Sequence, residues 1–217
     1  MNPIPAEITA ILQSNPGLTV FELGACNGYH TAHLAALCTG DYRYYMFEPD
    51  ERNAPLCRAV ASTNPRIAFV PAAVGNVTGT VDFYLAHPDQ NNAIGSSSIS
   101  PFKDQTKAFP WCTVDGVAKV TSWRLDDFCG PVKVDHIDFI WMDVQGAERL
   151  VFEGAREMLA KTRYIFTEFE GTRKDNEGTC YEHSSSLERI MEMLPGWRVV
   201  KVYDWDALLE NTAYTGA

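Results

Sequence analysis

The run Leu18-Thr19-Val20-Phe21-Glu22-Leu23-Gly24-Ala25-Cys26-Asn27-Gly28 passes from a short, mostly apolar segment into a bend marked by two glycines. A run of this kind stopped by glycine reads as a buried strand, and the helical pattern from Tyr29 to Cys38 completes a strand, turn, helix unit. Working outward, the same alternation recurs. Ile4, Ile8, Ile11 and Leu12 predict a leading helix that ends at Asn15-Pro16-Gly17. Arg43 to Glu48 predicts a second strand, Asn53 to Ser62 a second helix, and Ile67 to Val74 a third strand. Val77 to Leu85 reads as a hairpin turning at Thr78-Gly79, after which residues 86–118 lose all periodicity. Ile137 to Met142 is a strong strand, followed by a helix carried by Ala147, Leu150, Val151, Gly154, Ala155, Met158 and Leu159. Tyr164 to Phe169 predicts another strand, 171–183 a polar loop, and Ser185-x-x-Glu188 a capping box opening a last helix. Trp197 to Tyr203 closes the pattern as a strand, with the tail beyond Asp204 ambiguous. Strands alternating with helices predict an α/β fold around a mostly parallel sheet.

At 217 residues, with 46% hydrophobic and 12% aromatic content, the chain suits one domain spanning 1–217 and excludes disorder. Residues 1–17 form its leading helix, and 86–118 and 171–183 are its candidate substrate or lid loops. Net charge is −10, from 28 acids against 18 bases, which opposes a nucleic-acid partner held by counterion release. The first basic side chain is Arg43, and no apolar run approaches the roughly 20 residues that span a bilayer. A cytoplasmic protein without a membrane partner is expected. Six scattered cysteines, with no C-x-x-C pair, read as reduced thiols. Cys26, His30 and His33 would share one side of a helix, but a structural zinc site wants a fourth ligand, so packing is the preferred reading.

In open α/β sheets, ligands bind beyond the carboxyl ends of the strands, where strand order reverses. Gly24 and Gly28 admit a ligand close to the main chain, and the helix start offers free N–H donors. Glu48, twenty residues past Gly28, stands where a carboxylate accepts from two ribose hydroxyls. The spacing G-x-x-x-G is not the G-x-G-x-x-G of a pyrophosphate turn, no G-K-[ST] occurs, and the acidic Glu22 opposes phosphate. S-adenosylmethionine fits better, because it keeps the adenosine and replaces phosphates with an ammonium, a carboxylate and a cationic sulfonium.

Phe21 to Thr31, Met46-Phe47-Glu48-Pro49, Leu125-Asp126-Asp127-Phe128 and above all Ile137 to Glu148, with its D-V-x-G-A-E segment, resemble the FkbM-type methyltransferases in the same order. The resemblance covers about residues 18–203. It implies a Rossmann-like three-layer α/β/α sandwich with a mostly parallel seven-stranded sheet, S-adenosylmethionine as donor, and O-methylation of a sugar, polyketide or related small hydroxylated metabolite. Cys26 interrupts the family's usual turn, and Gln145 stands where members commonly carry Glu. The donor-binding candidates are Glu22, Gly24, Ala25, Asn27, Gly28, Glu48, Pro49, Ala73 and Asp143.

Methyl transfer from a sulfonium is an in-line displacement in which the acceptor hydroxyl must lose its proton. Asp143, at the end of its strand, is the leading base, against the alternative that it caps the helix beginning near Gly146. Glu168 and Glu170 are candidates to assist it and to hold a divalent cation such as magnesium, and His183 is an alternative base. Glu148 reads as a first-turn acid favoured by the helix dipole. Ser96, Ser97 and Ser98 are candidate hydrogen-bonding groups, and Phe109 and Trp111 candidate covers for the acceptor. Competing readings are an NAD(P)-dependent oxidoreductase and a cofactor-binding regulatory protein without catalysis; self-association into a homo-oligomer stays open. These readings separate in a thermal melt. S-adenosylhomocysteine (SAH) is expected to raise the melting temperature and NADH to leave it unchanged, and the reverse order would overturn the electrostatic argument.

Overall fold

Strand β1 (Thr19–Leu23) is buried at every residue, so both of its faces need cover, and helices on either side supply it. The computed structural model describes residues 4–87, 93–104, 107, 109–110, 112–170 and 180–215. In one layer lie α1 (Ala6–Ser14), α2 (Tyr29–Leu37) and α3 (Ala54–Ser62). Their Ile8, Leu12, Leu34 and Cys57 pack on Val20, Tyr44, Met46, Phe139 and Trp141 of the sheet. The opposite layer holds α4 (Leu125–Cys129), α5 (Glu148–Glu153), α6 (Arg156–Ala160) and α7 (Leu187–Met193). Phe128, Val151, Phe152, Met158 and Ile190 from that layer meet Phe21, Leu23, Ile140, Met142 and Ile165. Successive residues of β1 thus feed two cores, as the two-residue period of a strand requires.

The main sheet has seven strands in the order β3 (Ile67–Val70), β2 (Arg43–Phe47), β1, β7 (Ile137–Met142), β8 (Thr162–Glu168), β10 (Asp206–Asn211) and β9 (Trp197–Val202). β3, β2, β1, β7 and β8 run parallel, while β10 is antiparallel to both β8 and β9. From β1 the chain winds outward through β2 and β3 and then returns to lay β7 on the other flank of β1. The carboxyl ends of β1 and β7 therefore flank the topological switch point. The expected three-layer α/β/α sandwich is the observed fold.

Several expectations need correction. Ile67 to Val74 is not one strand: Pro71 lacks the N–H to continue the ladder, and the chain leaves the sheet to form β4 (Ala73–Val74) in a second, three-stranded sheet ordered β4, β6, β5. Val77 to Leu85 is not a hairpin. β5 (Gly79–Ala86) pairs antiparallel with β6 (Val114–Trp123), whose first half lies in the stretch read as irregular. β6 is largely solvent-facing and mixes Lys119, Asp115 and Ser122 with small residues, so its alternation carries little apolar contrast. The helix expected through Leu159 breaks into α5 and α6 at Gly154, where a Cβ would lie 2.0 Å from the Gly75 carbonyl oxygen. Asp126 restarts it, its Oδ1 accepting from the N–H groups of Glu157 (3.1 Å) and Met158 (3.0 Å). The cap of α7 is Ser186, which accepts from the Arg189 N–H at 3.4 Å, rather than Ser185. The ambiguous tail supplies β10, whose buried Ala207, Leu208 and Leu209 are flanked on both sides by strands. No disulfide links any of the six cysteines, and among the described residues no helix is long and apolar enough to cross a membrane.

At the switch point the two strand ends are bolted through the main chain. The Asp143 N–H donates to the Leu23 carbonyl at 3.0 Å, and the N–H groups of Gly24 (3.0 Å) and Ala25 (2.9 Å) both donate to the Phe47 carbonyl. Gly24 has φ +86°, and a Cβ there would lie 1.9 Å from the Asp143 carbonyl oxygen. Gly24→Ala is expected to cost at least ~2 kcal/mol in a urea melt, combining left-handed backbone strain with loss of this approach. Wild-type stability in that variant would show that β1 and β7 do not need the contact.

Candidate active site

The bolted ends leave a cavity of about 300 Å³ above them, at the small end of the range for ligand sites. Its floor is the turn Gly24 to Asn27, one wall is Phe47, Glu48 and Pro49 with Ala73, and the facing wall is Asp143 to Gln145. A cover runs from Ile94 to Ile99, beginning in the 3-10 turn Ala93–Ser96. Among the described residues no Lys or Arg lines this space, whereas two carboxylates, Glu48 and Asp143, do.

Glu48 is held by the turn it follows. Its Oε2 accepts from the Cys26 N–H at 2.7 Å and its Oε1 from the Asp50 N–H at 2.8 Å, which fixes the carboxylate while leaving lone pairs on both oxygens. The Cys26 backbone reaches Glu48 by adopting φ +51°, a left-handed conformation uncommon for a residue with a Cβ. Burial outweighs these donors and raises the Glu48 pKa to about 7. Arg52 stands close by, but its guanidinium is spent elsewhere. It pairs with Asp50 at 2.6 Å and reaches Ser97 Oγ at 3.0 Å and the Ala86 carbonyl at 2.9 Å, fastening the cover to the turn after β2.

On the other wall, the Gln145 amide joins two acids. Its Nε2 donates to Asp143 Oδ1 at 2.6 Å and to Glu168 Oε2 at 3.3 Å. The buried Tyr181 hydroxyl lies 3.0 Å from Gln145 Oε1 and 2.7 Å from the Ser96 carbonyl. Gln145 also has a left-handed backbone, φ +54°. Desolvation first, and then the charge of Asp143, hold the Glu168 pKa well above the usual carboxylate range. The amide N–H occupies the place between Asp143 and Glu168 where a shared cation would sit. Glu170 turns away to accept from the Cys180 N–H at 2.8 Å, and among the described residues no three His, Cys, Asp or Glu side chains converge as a metal site. That includes Cys26, His30 and His33. Asp143 is not a helix cap either, because the N-cap of α5 is Ala147, with no side-chain capping bond.

The structure thus places Gly24, Ala25, Asn27, Glu48, Pro49, Ala73 and Asp143 around one cavity, with Ser96, Ser97 and Ser98 in its cover. Four expected residues lie elsewhere. Gly28 is the left-handed N-cap of α2, outside the lining. Glu22 is fully buried beneath α2, its Oε2 accepting from Thr31 Oγ1 and the Tyr44 hydroxyl, each at 2.5 Å, so it does not face the cavity. His183 is tied to Ser100, 3.0 Å from its Nδ1, and Glu168 meets the cavity only through Gln145. Glu148 is a buried acid rather than a solvated one at a helix start, accepting from the Val144 N–H at 3.4 Å. Phe109 is 41% exposed and off the cavity, and Trp111 lies outside the described residues. Sequence reasoning missed Phe83, which lies in the stretch read as a hairpin arm with no site attached, and Ile94, which falls where periodicity is lost. It weighed His30 only as a metal ligand, although its place two residues past the glycine turn puts it at the cavity.

An acid-lined cavity at the switch point of a seven-stranded Rossmann-like sheet suits an S-adenosylmethionine-dependent methyltransferase. The Methyltransferase FkbM domain family matches residues 22–214, and the chain belongs to that family. The 2-O-methyltransferase NoeI of Sinorhizobium fredii is 32% identical over 212 residues, covering 95% of this chain and 84% of that one. Among solved structures, an O-methyltransferase from Bacillus cereus in complex with SAH aligns at TM-score 0.53 and 14% identity, covering 96% of this chain and 80% of that one. An FkbM methyltransferase from Methylobacillus flagellatus aligns at TM-score 0.50 and 20% identity; it covers 89% of this chain, which spans 43% of that protein's length.

Burial, with the charges of Asp143 and Glu170, raises the Glu148 pKa to about 8, above the ordinary 4.5. The folded state therefore binds more protons than the unfolded chain between these values, and this acid's contribution to stability falls as pH rises from 4.5 through about 8. Glu148→Gln is expected to stabilise the protein by ~2 kcal/mol at pH 9 and to change little at pH 5. Equal effects at both pH values in denaturant melts would refute a neutral Glu148.

Proposed function

We propose that this methyltransferase acts on a hydroxyl oxygen of a small, uncharged acceptor such as a sugar or a related hydroxylated metabolite. The absence of any Lys or Arg from the described lining of the cavity, against two carboxylates, carries this reading. It favours a sulfonium donor and an acceptor without phosphates, and with the net charge of −10 it disfavours a nucleic acid. The relative named as a 2-O-methyltransferase supports oxygen as the acceptor atom.

The residues divide the work as follows. Glu48 accepts from the ribose hydroxyls through the lone pairs its backbone bonds leave open, and the turn Gly24 to Asn27 brings main chain against the donor. Pro49 and Ala73 add apolar wall on the same side. When bound, the donor supplies an electrophilic methyl group on a cationic sulfur. Asp143 stands on the facing wall, its orientation fixed by the Gln145 amide, and places negative charge beside the positive centre. Glu168 acts through the same amide as a positioning acid, and His183 braces the cover through Ser100. No cation is assigned between Asp143 and Glu168, because the amide already satisfies both.

Glu48→Ala is expected to weaken SAH binding at least tenfold by calorimetry, while Asp143→Ala keeps that affinity within about threefold and loses on the order of 100-fold in turnover. The turnover assay follows methyl-labelled donor on a panel of neutral glycosides. Unchanged SAH affinity in Glu48→Ala would sink the ribose assignment, and full turnover in Asp143→Ala the role given to that charge.

A further inference from the structure

His30 lines the cavity with an imidazole whose proton-accepting nitrogen has no part in the donor site. It sits in the first turn of α2 and shares the lining with Asp143. Its ring packs on Trp141, with centroids 4.8 Å apart and planes inclined by 39°, and meets Tyr29 edge-on at 5.5 Å. The strand that carries Trp141 ends at Met142, immediately before Asp143, so one element fixes both the imidazole plane and the carboxylate. Among the described residues neither ring nitrogen of His30 has a hydrogen-bond partner. The neighbouring His33, by contrast, is bonded through Nδ1 to the Tyr29 carbonyl at 2.8 Å.

The carboxylates at the cavity are partly engaged, and its thiol is of the wrong basicity. Glu48 accepts two backbone N–H groups, Asp143 Oδ1 is taken by Gln145, and burial pushes the Cys26 thiol up to about 11. From this arrangement we infer that His30 is the catalytic base of the reaction, taking the proton of the acceptor hydroxyl with one free ring nitrogen.

This assignment rests on the methyl-transfer reading above. In the step, the acceptor oxygen forms its bond to the methyl carbon as the carbon–sulfur bond breaks. The electron pair of that bond stays on sulfur, the hydroxyl proton passes to His30, and solvent later removes it. Burial lowers the His30 pKa below 6.5, which keeps the ring neutral and able to accept a proton at neutral pH. Two charged or titratable groups act on it. Asp143, from the exit of β7, favours the imidazolium that forms, and His33, one turn on in the same helix, opposes it. Trp141, packed against the ring, carries no charge. The sign is therefore fixed: activity rises with pH as His30 loses its proton and reaches its plateau by neutrality.

The test uses the full chain with His30→Gln, which removes the base, and His30→Phe, which keeps a ring against Trp141. Both are expected to bind SAH within about threefold of wild type and to lose 100-fold or more in kcat on methyl pyranosides, together with the acidic limb of the pH profile. A residue that only packs would be rescued by Phe and would leave that limb in place. Ring-nitrogen NMR of the SAH complex decides the matter without an acceptor. A neutral His30 at pH 7 whose signals shift on SAH binding supports the proposal; a protonated ring, or signals indifferent to SAH, overturns it. Variants that turn over like wild type also overturn it. Failure of wild type to bind SAH would instead count against the methyl-transfer reading itself.

Discussion

The site depends on a main-chain contact between two strands that are distant in sequence. Gly24 presses against the Asp143 carbonyl, and the Asp143 N–H closes on Leu23, so the ends of β1 and β7 are held as one rigid ledge. The Cys26 turn, Glu48 and the Asp143 wall all hang from it. Backbone hydrogen bonds of this kind are hard to deform in a packed interior, and that lets charged side chains stand at fixed positions around a small space. A Cβ at position 24 would push the ledge apart.

Around the ledge the protein concentrates buried acid. Glu22 and Glu48 are raised to about 7 and Glu148 to about 8, in each case chiefly by desolvation. Asp206, on the strand beside β8, rises to about 7 for the same reason. The bare protein therefore carries fewer charges in its interior than its sequence suggests. Under the proposed ribose assignment, hydroxyls donating to Glu48 favour its ionised form, so donor binding and proton release are linked there. Glu22 keeps one oxygen, Oε1, buried without a partner beneath α2, which is the arrangement expected of a carboxyl that carries a proton rather than a charge.

Much of this was legible in the residues. The strand, turn, helix unit at Leu18 to Tyr29 and the buried strand at Ile137 to Met142 are local patterns of strong contrast, and they point to the floor and one wall of the cavity. What escaped was set by tertiary context. β6 is a mostly exposed strand with no apolar face to announce it, and β10 buries the successive residues Ala207, Leu208 and Leu209 on both faces, so no alternation survives in its sequence. The break at Gly154 follows from a carbonyl contributed by Gly75, seventy-nine positions earlier, and no window of sequence holds both. Glu22 looked like a cavity acid because its position in the turn is right; the side chain instead found Thr31 and Tyr44 within the α2 layer. Glu168 is a polar residue on the right strand that stands one side chain removed from the space, and His183 is tied to Ser100, itself outside the lining.

The outermost strand, β9, pairs only with β10 among the described residues and leaves Val199, Val200 and Val202 exposed. Such a ribbon is a template on which a neighbouring chain can add its own backbone, the route by which sheets grow into fibres. Arg198 and Lys201 interrupt the valines and are pinned outward by Glu210 and Glu7. Stripping those two cations would turn a guarded margin into an adhesive one, and the resulting loss would be in shelf life at high concentration rather than in chemistry.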